Sequence, residues 1–208
     1  MLKVALTGGI ATGKSYVLER LRRRGVFCLD ADALAHGVEA AGTEATQAIA
    51  ARFGDGVLAK DGSVDRTKLG PIVFADSVAR SDLEAIVHPA VYRAIKAGLR
   101  AFELTGNPRF AVVDVPLLFE SGRASDFDTV IATVCNPDIQ LARLIARGIS
   151  DAGARQRLAA QLPAAEKATR ANHVIDTSGT FEETDAQVDK VLQALANQGP
   201  NGSRPLAV

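Results

Sequence analysis

The segment LTGGIATGKS, residues 6–15, fits the pattern G-x-x-x-x-G-K-[ST]. Its glycines let backbone N–H groups approach phosphate oxygens closely, and a helix that starts here adds its unpaired N–H groups and its positive dipole end. Lys14 supplies a mobile positive charge for the β- and γ-phosphates, and Ser15 offers a hydroxyl to Mg²⁺. The pattern therefore predicts a site for a nucleoside triphosphate, but it does not identify the acceptor.

Two acidic residues follow within LDADALAH, residues 29–36. Asp30 and Asp32 are two apart, so they share one side of the chain if the extended backbone continues that far. A carboxylate at the carboxyl end of a strand beside the phosphate loop can orient an acceptor hydroxyl and accept its proton. Asp32 is the better placed of the two for that role, and the alternative is an aspartate that caps the next helix.

Two further groups of residues could contact a substrate. In VVDVPLLFESG (112–122), Asp114 ends an apolar strand, where a carboxylate could act on a metal through water. The neighbouring Leu117 and Leu118 belong either to a binding surface or to the core. Arg143 and Arg147 are four apart and share one helix face, which suits either a clamp on phosphates or exposure to solvent.

The order of the surrounding elements predicts a parallel sheet. Apolar runs at 2–7 and 26–29 flank a helical segment at 14–24, and such a unit joins two parallel strands by a right-handed crossover. Later apolar runs predict strands at 110–115, 129–134 and 173–176. We expect an α/β three-layer fold with a parallel sheet of about five strands covered by helices.

A long insertion separates the second and third predicted strands. Residues 33–105 predict a mainly helical segment with a helix near 33–52, a helix at 77–87 and a third that begins at Pro89. The stretch 53–66 is rich in turn residues.

The remainder of the chain forms the predicted nucleotide-binding core, residues 1–32 and 106–197. Thr180 and Glu183 have the spacing of a capping box at the start of its last helix. The tail 198–208 has no periodicity and is predicted to be disordered.

The overall composition argues against several classes of protein. Among 208 residues, 24 Lys and Arg balance 24 Asp and Glu, so no net charge draws the chain to nucleic acid or to a membrane surface. Apolar runs are too short to span a membrane, and the N-terminus lacks a secretory signal. Cys28 and Cys135 lie in separate apolar segments, as is typical of reduced, buried thiols. We expect a cytoplasmic protein that is a monomer or a weak homo-oligomer.

The classes of protein that share this phosphate loop differ in their other motifs. A GTP switch needs N-K-x-D, which is absent, and the D-x-x-G match at 176–179 follows the last strand. An ATPase motor or transporter subunit usually needs a longer chain and a signature sequence that is missing here. A small kinase remains, with the insertion as the acceptor site and an arginine-rich lid within about 143–165.

Seven stretches, taken in order, resemble the dephospho-coenzyme A kinase family, and they cover residues 1 to about 195. They are LTGGIATGKS, DADALAH, HP (88–89), VPLLFESG, QLARLIARG (140–148), RLAAQL (157–162) and HVIDTSG (173–179). The phosphate loop alone is common to many families, whereas its combination with the next three stretches is much more specific. Tyr16 departs from the threonine that such loops often carry.

The resemblance implies transfer of the ATP γ-phosphate to the ribose 3′-hydroxyl of dephospho-coenzyme A, with Mg²⁺ as cofactor. Asp32 would activate that hydroxyl, and Lys14 and Arg143 would be the other catalytic residues. The insertion would bind dephospho-coenzyme A, with the acceptor site bounded by His88, Leu117 and Leu118. The residues expected to bind ATP are Gly8, Gly9, Ile10, Ala11, Thr12, Gly13, Lys14, Ser15, Tyr16 and Arg147, with the segment 173–179 near the adenine. The alternatives are another small-molecule or nucleotide kinase and a non-catalytic ATP-binding regulator.

Overall fold

The computed structural model describes residues 1–198 as two compact units. One unit consists of Met1–Leu29 together with the described residues from Phe102 onward, and the other is Asp30–Ala101. The tail that the sequence predicts to be disordered lies, from position 199 onward, outside the described residues.

A five-stranded parallel sheet forms the centre of the first unit, in the order β2-β3-β1-β4-β5. Its strands are β1 (Leu2–Gly8), β2 (Cys28–Asp30), β3 (Phe110–Asp114), β4 (Thr129–Val134) and β5 (His173–Asp176). The pairs β1–β3, β1–β4 and β4–β5 are parallel, with Leu6 opposite Asp114 and Gly8 opposite Thr133. The α/β fold predicted from the sequence is confirmed, and the second strand begins and ends slightly later than predicted.

The helices lie between the strands and within the second unit. They are α1 (Lys14–Arg23), α2 (Ala31–Val38), α3 (Glu44–Phe53), α4 (Arg66–Ala75), α5 (Ser77–Thr105), α6 (Pro137–Ala146), α7 (Asp151–Ala159), α8 (Ala164–Arg170) and α9 (Phe181–Asn197). Within residues 1–198, none is both long enough and apolar enough to cross a bilayer.

The main core lies where α1 and α9 pack against the sheet. Val4 and Leu6 of β1, Val17 of α1 and Val188 of α9 are among its fully buried members. Each such side chain stabilises the fold by about 1.5–3 kcal/mol relative to its exposure. The alternate residues of β1 are also buried from Ala5 onward, and α8 contacts both β1 and β4. The phosphate loop therefore begins from a strand that is enclosed on both faces.

The second unit has a separate small core, which contains Ile49, Val57, Val64 and Leu69. The single helix expected near 33–52 is two helices, because the chain turns after α2 and Thr43 caps the start of α3. Helix α4 was not predicted, since Gly70 and Pro71 lie inside it and both residues disfavour a helix interior.

The two helices predicted on either side of Pro89 are one continuous helix of 29 residues, α5. A proline inside a helix removes one backbone donor and disfavours the preceding turn, which is why the sequence predicts a break. Leu83, Ile86 and Val87 pack on the small core before the proline, and Val91 and Ile95 are buried after it. Packing on both sides of Pro89 therefore supports the helix through this position.

The predicted capping box at the start of α9 is confirmed. The Glu183 N–H donates to Thr180 Oγ1 at 3.2 Å, and the Thr180 N–H donates to Glu183 Oε2 at 2.8 Å. These bonds satisfy two backbone donors that the helix itself leaves unpaired.

We expect Thr180→Ala to lower the free energy of unfolding by about 1 kcal/mol, because the cap hydroxyl is lost. For a chain of this size the melting temperature should fall by about 2–4 °C, measured by calorimetry. Thr180→Ser keeps the hydroxyl and is the matched control. Equal melting temperatures for the alanine and serine variants would contradict this account of the cap.

Candidate active site

The phosphate loop, residues 8–15, joins the end of β1 to the start of α1. Strand β1 is central in the sheet, with β3 on one side and β4 on the other. Because these strands are parallel, their carboxyl ends lie at the same edge as the loop. Asp114, the last residue of β3, and Thr133 near the end of β4 are consequently its neighbours.

Two glycines of the loop are required by the fold itself. A Cβ on Gly8 would lie 2.1 Å from Thr133 Oγ1, so no larger residue fits there without displacing β4. Gly13 has φ of +80°, and a Cβ there would meet Thr177 Oγ1 at 2.9 Å. The glycines therefore give the backbone its close approach to β4 and to the segment after β5.

The carbonyl groups of residues 9–12 all accept hydrogen bonds, three of them from side chains outside the loop. The bonds run from the Thr12 N–H to Gly9 O (3.2 Å), from Gln140 Nε2 to Ile10 O (2.5 Å), from Arg143 Nη1 to Ala11 O (3.2 Å) and from Thr177 Oγ1 to Thr12 O (2.9 Å). A trans peptide places its N–H opposite its C=O. The N–H groups of Ala11 and Gly13 therefore point away from the side chains that bind residues 10 and 12.

Helix α1 adds further donors at the same place. It begins at Lys14, and the first-turn N–H groups of a helix have no acceptor within the helix. Ala11 has φ of +61°, a left-handed conformation that costs a β-carbon-bearing residue of order 1–3 kcal/mol. Left-handed and helical residues in succession form a concave set of N–H groups, and such a set binds anions.

Lys14 forms an ion pair with Asp114. Its ammonium Nζ lies 2.6 Å from both carboxylate oxygens of Asp114, and the two side chains are only 15% and 5% exposed. Removal of one partner from such a pair is strongly destabilising, because the other charge is left in a poorly solvated place. Asp114 thus balances the charge of Lys14 and holds its ammonium at the carboxyl edge of the sheet.

A cleft of about 360 Å³ lies beside the loop, on the side of α6 and α9. Residues that line it include Gly13, Tyr16, Arg143, Arg147, Thr177 and Phe181. The rings of Tyr16 and Phe181 are 4.7 Å apart, and Phe181 is 66% exposed. An aromatic pair with one exposed ring next to a set of N–H donors has the chemistry of a nucleotide cleft, since a base has an apolar face and its phosphates are charged.

Electrostatic contacts fix the side chain of Tyr16. Its hydroxyl donates to Asp185 Oδ1 at 3.1 Å, and Arg20 pairs with the same carboxylate and also lies over the Tyr16 ring. Partial burial and the bond to Asp185 raise the pKa of Tyr16, whereas the bond from Arg20 lowers the pKa of Asp185. The tyrosine is therefore neutral and the aspartate charged at physiological pH.

The two arginines predicted as a clamp have different environments. The guanidinium of Arg143 donates to Ala11 O, to Thr177 O at 2.6 Å and to Thr177 Oγ1 at 3.0 Å, so it ties the loop to the segment after β5. Arg147 follows α6, is exposed and lines the same cleft.

Asp30 and Asp32 do not share one side of an extended strand. Helix α2 begins at Ala31, and the Asp30 carboxylate caps it by accepting from the N–H groups of Asp32 (2.9 Å) and Ala33 (3.1 Å). Asp32 lies in the first turn of α2 with an exposed side chain. The capping role considered for Asp32 thus belongs to Asp30, and the Asp32 carboxylate is not used as a cap.

The remaining predicted residues are divided between the units. Leu117 is 46% exposed and Leu118 is fully buried, so only Leu117 of this pair presents a side chain to solvent. His88 is exposed on α5 in the second unit, which also contains Asp32. The first unit contains the phosphate loop, the ion pair and the cleft.

Sequence reasoning missed three side chains that shape the loop: Gln140, Gln161 and Thr177. Both backbone groups of Ile10 bind glutamine side chains. Its N–H donates to Gln161 Oε1 at 2.9 Å, and its carbonyl accepts from Gln140. Gln140 stands between Ile139 and Leu141 in an apolar helix segment, and a buried amide in such a place needs a partner. The apolar neighbours of Gln140 were the signal available in the sequence, but the identity of its partner required the fold.

The donors at the loop fit a hard divalent cation. Ser15 is exposed at the start of α1 and offers a hydroxyl oxygen, and Mg²⁺ prefers oxygen ligands while keeping waters and substrate phosphates. In the described part of the chain no group of three or more His, Cys, Asp or Glu is arranged to hold a metal ion.

Comparison with known proteins agrees with this geometry. The sequence profile of the family described as dephospho-CoA kinase matches residues 2–183. Dephospho-CoA kinase of Geobacter metallireducens is 47% identical over 201 residues, which are 96% of this chain and all of that protein. The enzyme of Geobacillus kaustophilus is 45% identical over 92% of this chain and 96% of its own length.

Solved structures show the same relationship. Dephospho-CoA kinase from Campylobacter jejuni superposes with a TM-score of 0.71 and 28% identity, over 93% of this chain and 96% of that one. A protein of Thermus thermophilus gives a TM-score of 0.82 at 30% identity, over 95% and 98% of the two chains. With the phosphate loop, the ion pair and the cleft in place, the chain belongs to the dephospho-CoA kinase family and is an ATP-dependent phosphotransferase.

Proposed function

We propose that this kinase transfers the γ-phosphate of ATP in line to the ribose 3′-hydroxyl of dephospho-CoA, with Asp32 as the general base. The observation that carries the donor half of the proposal is that Gln140 and Thr177 bind the Ile10 and Thr12 carbonyls from outside the loop, because the N–H groups of Ala11 and Gly13 then point away from those side chains and can bind phosphate. Phosphoryl transfer needs positioning and charge stabilisation rather than covalent chemistry. A preorganised set of amides supplies both.

Lys14 and Arg143 supply positive charge on the ATP side. In our proposal Asp114 balances the charge of Lys14 while the site is empty, and Lys14 exchanges that contact for the β- and γ-phosphate oxygens when ATP binds. Arg143 keeps the loop shaped through Ala11 and Thr177, and its charge adds to the attraction for phosphate. The ATP phosphates lie along Gly8 to Tyr16 in this proposal, with the N–H groups of Ala11 and Gly13 among the donors, and Arg147 lines the cleft in which we place the nucleotide.

Ser15 would hold Mg²⁺, with phosphate oxygens and water as the other ligands. When bound, the ion neutralises negative charge that develops on the transferring group. Asp114 contacts the Lys14 ammonium, and we assign it the role of counter-ion to Lys14.

On the acceptor side, the Asp32 carboxylate orients the 3′-hydroxyl and accepts its proton as the new bond forms. Its position supports this role, because Asp30 satisfies the N-terminus of α2 and leaves the exposed carboxylate of Asp32 available for a ligand. We assign dephospho-CoA to the helical segment 33–105, with His88 and Leu117 as contacts and Leu118 as the buried support of Leu117.

The remaining expectations complete the proposal. Residues 1–32 and 106–197 act as the nucleotide-binding core, and the segment within about 143–165 acts as a lid that excludes water. We propose that the enzyme works in the cytoplasm as a monomer or a weak homo-oligomer. The charge balance of the sequence favours partners that are small molecules rather than nucleic acid.

Asp32→Asn should lower kcat by at least about 100-fold while ATP affinity is retained, because the amide keeps the shape but cannot accept the proton. The assay is ADP release with saturating dephospho-CoA, and ATP affinity is measured by calorimetry. A kcat close to that of the unmodified enzyme would exclude Asp32 as the base.

Asp30 variants separate the cap from the chemistry. Asp30→Ala should cost about 1 kcal/mol of stability through the lost cap, whereas Asp30→Ser keeps a cap hydroxyl without a charge. We expect the serine variant to retain kcat within about a factor of ten, as befits a residue that positions Asp32 through its N–H. If the serine variant is as inactive as Asp32→Asn, the chemical role belongs to Asp30.

Lys14→Ala should lower kcat by at least about 100-fold, since it removes a charge that is aimed at the transferring phosphate. Lys190 is exposed on α9, so Lys190→Ala is the matched control and should leave turnover unchanged. Normal turnover of the Lys14 variant would reject the phosphate loop as the catalytic site.

A further inference from the structure

Lys167 on α8 is a cation whose side chain is completely buried. Its Nζ lies 2.7 Å from Glu120 Oε1 and donates to the Pro116 carbonyl at 2.9 Å. Both acceptors belong to the segment after β3, residues 116–122, which we call the 116–122 turn. Lysine almost never buries its ammonium unless the charge is paired, so the turn and the cation depend on each other.

The same part of the chain holds the 116–122 turn in two further ways. The Leu162 N–H donates to Glu120 Oε1 at 3.1 Å, and the Arg170 guanidinium lies 4.5 Å from the centre of the Phe119 ring. The Glu120 oxygen therefore accepts from both the backbone before α8 and the ammonium within it. Loss of the ammonium would leave that carboxylate with the weaker, neutral donor.

The Pro116 carbonyl also connects the turn to the phosphate loop. It accepts from Thr7 Oγ1 at 3.1 Å as well as from Lys167, and Thr7 directly precedes Gly8. A single oxygen thus joins β1, α8 and the turn at the carboxyl edge of the sheet.

The buried lysine is not needed merely to fill the core. Replacement of both partners of a buried ion pair by apolar side chains of similar size is often neutral or stabilising, so the core alone does not require a charged pair here. What the pair provides is a defined place for the Pro116 carbonyl and for Glu120, the residues on either side of Leu117, Leu118 and Phe119.

We propose that Lys167 is a positioning residue that holds the 116–122 turn, and with it Leu117, in the arrangement in which dephospho-CoA binds. The proposal rests on the acceptor role assigned to Leu117 above. Lys167 acts through the turn and does not itself touch the acceptor.

The first test measures the turn directly. Amide hydrogen exchange at Ser121 and Arg123, whose N–H groups bond to the Leu117 and Leu118 carbonyls, should accelerate at least about tenfold in Lys167→Met. Exchange in α9 should be unchanged, and Lys190→Met is the matched surface control. Unchanged exchange at the turn in a folded Lys167 variant would overturn the proposal.

The second test is steady-state kinetics. Lys167→Met should raise the KM for dephospho-CoA at least about tenfold, with kcat and the KM for ATP within about threefold of the unmodified enzyme. Glu120→Gln should likewise raise the KM for dephospho-CoA and leave kcat and the KM for ATP nearly unchanged. This variant keeps the test available if Lys167→Met does not fold. In a double-mutant cycle the two changes should be strongly non-additive, because they remove one interaction. Additive effects, an unchanged acceptor KM or an equal rise in the KM for ATP would overturn the proposal.

Leu117→Ala separates this inference from the proposed function. If Leu117→Ala raises the KM for dephospho-CoA and Lys167→Met does not, the positioning role fails and the acceptor site stands. If neither variant changes that KM, the acceptor role of the turn fails, and the inference built on it fails as well.

Discussion

Gln140, Arg143 and Thr177 bind the carbonyl oxygens of three successive residues of the phosphate loop, and the loop has this shape because of those bonds. Because the Ile10 and Thr12 carbonyls are held by these side chains, the N–H groups of Ala11 and Gly13 point away from them, while the Thr12 N–H bonds to Gly9 O within the loop. The anion site is therefore built from outside the loop, by α6 and by the segment after β5. Such a site is preorganised, so little reorganisation is needed when the phosphate arrives.

The parallel sheet makes that arrangement possible. Strands β1, β3 and β4 run the same way, so the loop, Asp114 and Thr133 meet at one edge although they are far apart in the sequence. Two ion pairs with a buried member lie near this edge. Lys14–Asp114 is beside the loop, and Lys167–Glu120 joins α8 to the 116–122 turn. In both, the buried charge is tolerated because it is paired, Asp114 with Lys14 of α1 and Lys167 with Glu120 of the turn.

Much of this could be predicted from the sequence because it depends on local patterns. The phosphate loop, the order of the strands along the chain and the capping box at Thr180 all follow from short-range spacing, and the fold confirms them. The continuity of α5 through Pro89 could not be predicted, since it depends on tertiary packing that outweighs a local helix breaker. The cap by Asp30 also escaped prediction, because the two aspartates are equivalent until the end of β2 is known.

The partners of the loop were beyond a sequence argument for a different reason. Gln140 and Thr177 lie more than 120 positions away from the residues they bind, and nothing in their local sequence names those residues. A buried amide indicates that a partner exists, whereas only the folded chain shows that the partner is the phosphate loop. The same holds for Lys167, whose acceptors Pro116 and Glu120 lie in another element.

The most direct test is a crystal structure of the enzyme with Mg²⁺, a non-hydrolysable ATP analogue and dephospho-CoA. The account predicts that the loop amides and the Lys14 ammonium contact the β- and γ-phosphates, with the ammonium moved away from Asp114. It also predicts an Asp32 carboxylate oxygen within about 3 Å of the ribose 3′-oxygen. A ternary complex in which Lys14 stays on Asp114, or in which another carboxylate contacts the 3′-hydroxyl, would contradict it.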